Sequence, residues 1–390
     1  MKYLLGVDIG SSSVKCALVA IDSGECVASA FSPSSEMKIV SPEKGFAEQD
    51  PNLWWDELCN AMSLLANEYA FDKDEIAAIG ISYQMHGLVA VDRDGVPVMP
   101  SIIWCDSRAV ETGNAAFKSL GEEFCLAHYL NSPGNLTASK LKWVKDNRPE
   151  TYARIHKIML PGDYIAFRTT GEMKTTVSGL SEGILWDAKN ETISHDLLKH
   201  YGISESLLCS TVPQFGEQGF VTPQAAEALG ISANIPVSYR AGDQPNNAFS
   251  LNVLEPGEIA ATAGTSGVVY GVIDQPSYDP QSRVNTFVHV NHTEAKKRYG
   301  VLLCINGTGI LNSWLQKNVF SGHSYPEMNR LASAVPVGSE GLLCYPFGNG
   351  AERVLENRDP GSMIKNLHFN RHNNAHLARA SQEGIVFSLF

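Results

Sequence analysis

Two loops rich in glycine and hydroxyl side chains each leave an apolar strand. They are Leu4-Leu5-Gly6-Val7-Asp8-Ile9-Gly10-Ser11-Ser12-Ser13 and Ile259-Ala260-Ala261-Thr262-Ala263-Gly264-Thr265-Ser266-Gly267. Glycine lets backbone N–H groups approach an oxyanion, Ser and Thr add hydroxyl donors, and an acidic residue such as Asp8 can hold Mg²⁺ through water. The pairing points to the phosphates of a nucleotide held between two domains. Either loop alone reads equally as a hairpin turn.

The elements that would position these loops come from a well-filled globular chain. Its 390 residues allow two or three domains, and 44% apolar against 18% charged residues is the composition of packed cores. A formal charge of −12 and a pI near 5.4 argue against nucleic acid or an anionic membrane as partner and favour a small polar ligand. Eight cysteines are scattered singly, without a C-x-x-C pair or metal spacing, and read as reduced thiols. The first residues enter a strand with no basic and long apolar leader, and no apolar run reaches bilayer length, so a cytoplasmic location is expected.

Residues 3–31 read as a three-strand meander: Tyr3 to Asp8, Val14 to Ile21, and Glu25 to Phe31 after the turn Asp22-Ser23-Gly24. Asp50-Pro51 then supplies a cap and first-turn proline to a helix carrying Trp54, Leu58, Ala61, Met62 and Leu65 on one face. Ile76 to Ser82 is a further buried strand, and Leu88 to Val91 with Asp92-Arg93-Asp94-Gly95 reads as a hairpin. Strand, helix and strand in that order imply an α/β layer, against which residues 131–215 form a helical lobe. The strand-loop-strand theme restarts after Leu254-Glu255-Pro256-Gly257-Glu258, which places one domain over 1–247 and a second over 248–390.

With these segments in order, the whole chain resembles the FGGY carbohydrate kinases, the xylulokinase branch most closely. The resemblance rests on Asp8-Ile9-Gly10-Ser11-Ser12-Ser13-Val14-Lys15, Gln84-Met85-His86-Gly87, Trp104-Cys105-Asp106-Ser107-Arg108, Leu160-Pro161-Gly162-Asp163-Tyr164, Gly242-Asp243-Gln244 and Gly264-Thr265-Ser266-Gly267. It implies an α/β fold of two actin-like (ribonuclease-H-like) domains with a ligand cleft between them, the second domain incomplete. It also implies ATP-dependent phosphorylation of a ketopentose, D-xylulose to D-xylulose 5-phosphate, with ribulose, gluconate or a rarer ketose as alternative substrates. A sugar-binding pseudokinase is the non-enzymatic alternative.

Residue by residue, the resemblance makes Asp243 the general base that takes the sugar hydroxyl's proton. Without it, Asp243 reads better as the cap of a helix begun by Gln244 to Phe249. Asp8 becomes the second essential carboxylate, orienting Mg²⁺, while Gly10, Ser11, Ser12, Ser13, Gly264, Thr265 and Ser266 would donate to phosphate oxygens. Gly309 and Asn312, in Gly307-Thr308-Gly309-Ile310-Leu311-Asn312, would approach ATP. Met85, His86 and Gly87 would line the sugar site with Gln244, Trp104 would present an aromatic face, and Asp106 and Arg108 a polar edge. Members acting on glycerol carry Arg-Glu where this chain has Met85-His86, which counts against glycerol. Lys15 stays open between a solvated strand residue and a site residue.

Beyond a helix expected over Ala375 to Phe390, relatives continue into a Gly-Gly-Gly loop that cradles adenosine. The implied expectation is a chain cut short rather than one that has lost ATP use, with weak ATP binding, little turnover and an uncovered apolar surface. Relatives commonly associate, so a homodimer is also implied.

Overall fold

Tyr3–Ile9 (β1) alternates strictly: Tyr3, Leu5, Val7 and Ile9 are buried, while Leu4 and Gly6 face out. That period of two makes one side of the sheet a core surface. Val14–Ala20 (β2) repeats it with Val14, Cys16, Leu18 and Ala20 buried, and Cys26–Ser32 (β3) completes the meander. This computed structural model describes residues 2–389 apart from Thr265, Ala351 and Asn357.

The helix Pro51–Glu68 (α1) begins as its sequence demands, with the Asp50 side chain accepting the Asn52 N–H at 2.9 Å and Pro51 in the first turn. It covers β2 and β3 with Trp54, Leu58, Ala61, Met62 and Leu65, all buried. Truncating one such leucine to alanine typically costs ~2–5 kcal/mol, so this face fixes the helix firmly. Ile76–Tyr83 (β4) and Val237–Gly242 (β5) extend the sheet to the order β5-β4-β1-β2-β3. β1 is antiparallel to β2 but parallel to β4, and β4 is parallel to β5. Three adjacent strands therefore end on the same side.

The chain forms two compact units, one of Met1–Phe249 with Asp274–Pro276 and Phe287–Tyr299, the other of Ser250–Ile273, Ser277–Thr286 and Gly300–Phe390. The later segment joins the first unit for a physical reason: Phe287 is buried with Leu180 and Ile184, and the Val288 N–H donates to Ser181 Oγ at 3.0 Å. The same buried cluster holds Leu141 and Val144 from Thr137–Asn147 (α2). Pro161–Thr170 (α3) packs on β4 and β5, and Val177–Glu182 (α4) contacts β5.

The turn after Val91 forms, with Gly95 N–H donating to the Asp92 carbonyl at 3.1 Å, and the chain returns as a short hairpin, Asp92 N–H donating to the Val96 carbonyl and Val98 N–H to the Ala90 carbonyl, both at 2.9 Å. Val89–Val91 in addition takes Lys157–Met159 as an antiparallel partner. Val89, Ala90 and Val91 are all buried.

In the second unit, Ile259–Ala263 (β6) and Gly267–Ile273 (β7) pair antiparallel, with Ala263 opposite Gly267. Gly309–Asn318 (α6) follows later, and Asn374–Phe387 (α7) closes the described chain behind the Asn373 cap. α7 buries Ala378, Ala380 and Ser381, and a Cβ at Gly384 would stand 2.0 Å from the Cys344 carbonyl. Phe387, at the end of this helix, is 60% exposed. Among the described residues no helix is long and apolar enough to cross a membrane.

Candidate active site

Parallel register decides which residues share the carboxyl-terminal edge of the first sheet. Asp8 lies opposite Ser82, and Ser82 opposite Ala241. Asp243 follows as the first residue of Asp243–Ser250 (α5). Ligands of open α/β sheets settle along this edge. A cavity of about 510 Å³ lies there, lined by Asp8, Gly10, Ser11, Ser12, Ser13, Lys15, Ser82, Gln84, Trp104, Asp243, Asn246 and Asn247.

The serine loop turns β1 into β2 between the paired Ile9 and Val14. Gly10 N–H donates to the Ser13 carbonyl at 3.1 Å, and a Cβ at residue 10 would stand 2.9 Å from that oxygen, so only glycine closes the loop this tightly. The Ser12 carbonyl accepts from Met37 N–H at 2.8 Å, and the Ser11 carbonyl from Gln49 Nε2 at 2.7 Å. Gln49 is itself oriented from the core: its amide oxygen takes the Trp54 indole N–H at 3.1 Å, and indole can only donate. The loop's carbonyls are thus engaged, while among the described residues the N–H groups of Ser11, Ser12 and Ser13 meet no protein acceptor. Donors without acceptors, gathered on one turn, form a cradle for an anion.

Two carboxylates face that cradle. Asp8 Oδ2 lies 3.3 Å from Lys15 Nζ, which the strand register places opposite it. Both groups are open to solvent, so the pair contributes only ~0–1 kcal/mol. For Asp243, burial and then the nearby Asp8 charge push the carboxyl up to about 6, opposed by hydrogen bonds from Gln244. A carboxyl tuned to that range is a stronger base than an ordinary aspartate yet still ionised at neutral pH. Among the described residues no three His, Cys, Asp or Glu side chains group as a metal site. Two carboxylates on one cavity nevertheless suit Mg²⁺, which keeps much of its water and takes its other ligands from carboxylate and phosphate oxygens.

The residues expected at the sugar divide. Trp104 lines the cavity and donates its indole N–H to Ser11 Oγ at 3.2 Å. Met85, His86, Gly87 and Gln244 are not lining residues of this cavity, but Met85 Cγ would stand 2.6 Å from a Cβ at Gly242, immediately before Asp243. Gln244 donates to Asp243. Asp106 and Arg108, expected to present a polar edge to the sugar, do not line this cavity. Both side chains are fully buried, with Arg108 Nη2 2.6 Å from Asp106 Oδ2 and Arg108 Nη1 2.7 Å from Glu48 Oε1. Asp106 also accepts the Ala47 N–H at 2.6 Å, so this pair ties the 45–48 segment to the loop after Ile103.

In the second unit, Gly264 N–H donates to the Ser266 carbonyl at 3.1 Å. A Cβ at Gly267 would stand 2.9 Å from Thr308 Cγ2, which packs this loop on the start of α6, where Gly309 and Asn312 sit. Thr265 lies outside the described residues.

Four lining residues had not been singled out as site residues: Ser82, Gln84, Asn246 and Asn247. Asn246 and Asn247 stand three and four positions after Asp243, one helical face, a spacing legible in the sequence. Ser82 follows only from strand register. Gln84 is 3% exposed and, among the described residues, its Oε1 has no hydrogen-bond partner.

Residues 3–250 match the N-terminal domain of the FGGY family of carbohydrate kinases. The chain belongs to that family. A xylulose kinase from Staphylococcus xylosus is 30% identical over 394 residues, covering 100% of this chain and 78% of the relative. A ligand-bound xylulose kinase from Lactobacillus acidophilus superposes with a TM-score of 0.88 at 25% identity, covering 100% of this chain and 77% of that one. A gluconate kinase from the same organism gives 0.89 at 25% identity with the same coverage. The fold is the mixed α/β, actin-like fold of these FGGY kinases. Membership makes this chain a carbohydrate kinase, a phosphotransferase with ATP as co-substrate and a small sugar as acceptor.

Proposed function

We propose that this FGGY kinase transfers the γ-phosphoryl group of ATP to D-xylulose, giving D-xylulose 5-phosphate. The observation that carries the reading is the meeting of Asp8, Asp243 and the serine loop on one cavity. Asp243 accepts the proton of the attacking sugar hydroxyl as its oxygen bonds to the γ-phosphorus and the bond to ADP breaks. Ser11, Ser12 and Ser13 donate to phosphate oxygens, and Asp8 would hold Mg²⁺, which would supply charge withdrawal from the phosphates. The family resemblance alone assigns nucleotide contacts to Gly264, Thr265, Ser266, Gly309 and Asn312, and sugar contacts to Met85, His86 and Gly87.

The names of the relatives support a ketose, and Met85-His86 in place of Arg-Glu speaks against glycerol. The equal likeness to a gluconate kinase keeps a sugar acid as second reading. Sugar-dependent ADP release measured with D-xylulose, ribulose, glycerol and gluconate decides it. The highest kcat/KM is expected for D-xylulose. Gluconate in first place overturns the substrate, and sugar binding without ADP release overturns the enzyme.

The perturbed base sets a pH profile. Protonated Asp243 cannot take a proton, so kcat/KM should fall as pH drops below about 6 and level off above it. Since the Asp8 charge contributes to raising that pKa, Asp8→Asn should move the acid limb of any residual activity to lower pH. An acid limb that stays at the same pH in that variant would separate the two carboxylates.

A further inference from the structure

His86 holds a backbone conformation that side-chain-bearing residues avoid, with φ at 61°. Such a residue persists only where its surroundings over-determine it. Its N–H donates to Glu182 Oε1 at 3.2 Å, its ring Nδ1 bonds the Glu182 backbone carbonyl at 3.0 Å, and its own carbonyl accepts from Lys140 Nζ at 2.8 Å. Because a carbonyl can only accept, Nδ1 carries the ring proton. Two of the three restraints therefore come from one residue.

Glu182 ends α4 and is 2% exposed. Its Oε1 meets His86, and its Oε2 lies 2.6 Å from where a Cβ on Gly242 would stand. Gly242 leads directly into Asp243. The carboxyl group is thus wedged between the turn that presents His86 and the turn that presents Asp243. Burial, reinforced by Asp163 and Asp243, raises its pKa well above the ordinary glutamate value, against the His86 N–H and the Lys140 charge, which lower it.

We propose that Glu182 is a positioning residue that sets the sugar-contacting His86 in register with the Asp243 turn. This rests on the kinase reading given above. A small misplacement of a substrate-holding group is enough to cost of order 10²-fold in rate, so the effect should be large and confined to the sugar.

Glu182→Gln retains an acceptor for the His86 N–H, whereas Glu182→Leu retains bulk alone. The leucine variant should raise the sugar KM roughly 10- to 100-fold, with the ATP KM unchanged, and the glutamine variant should restore the sugar KM to within about threefold. Wild-type sugar KM in the leucine variant overturns the proposal, as does equal impairment of both variants. Should the leucine variant fail to fold, Glu182→Asp, which keeps a carboxyl but withdraws it by one methylene from the His86 N–H, should raise the sugar KM likewise, wild-type values again overturning it. Sugar binding by the wild-type chain without sugar-dependent ADP release would instead sink the kinase reading itself, which keeps the two failures apart.

Discussion

Asp243→Asn is expected to lower kcat by about 10²- to 10⁴-fold, the range of a lost general base, while the sugar dissociation constant stays within a few-fold of wild type. Asparagine matches aspartate in shape and can still sit at the start of α5, so the residue's capping role survives the exchange. What disappears is the acceptor for the hydroxyl proton. The acid limb at about 6 should vanish from whatever activity remains, since the group that produced it no longer titrates. Rates come from sugar-dependent ADP release and affinities from calorimetry. Near-wild-type turnover would leave Asp243 as a cap and remove it from the chemistry.

Much of this site was legible because local sequence and topology agree. Alternation in Tyr3–Ile9, a glycine that closes a tight loop, and the Asp50-Pro51 start of α1 each follow from nearest-neighbour chemistry. Asp8 and Asp243, far apart in sequence, meet because β1, β4 and β5 are parallel neighbours ending on one edge. Other features depend on partners that no local pattern announces. Gln49 reads as an unremarkable polar residue, yet it relays the position of Trp54 to the carbonyl of Ser11. Glu182 ends a helix with nothing to mark it until His86 and Gly242 are placed on either side. Chemistry visible in a residue's type is therefore readable early, whereas the direction in which it points waits on packing.

Arg108 shows the consequence, and its substitution should reveal itself in stability rather than in catalysis. The guanidinium is fully buried, bonded to Asp106 through Nε at 2.9 Å and Nη2 at 2.6 Å, paired with Glu48 at 2.7 Å, and seated 3.7 Å above the Phe46 ring. Arg108→Met keeps most of the side chain's bulk but strands the buried Asp106 carboxylate without its cation and leaves Glu48 only Arg148, at 3.6 Å. Breaking a buried pair in this way typically costs ~3–5 kcal/mol, a large share of a domain's stability. Lysine should restore only part of the loss, because an ammonium cannot reproduce the forked bonds to Asp106 or the stacking on Phe46. Urea unfolding should show the midpoint falling in the order wild type, lysine, methionine, with the sugar KM of the folded fraction unchanged. A methionine variant of wild-type stability whose sugar KM rises tenfold or more would return Arg108 to the sugar and break the structural assignment.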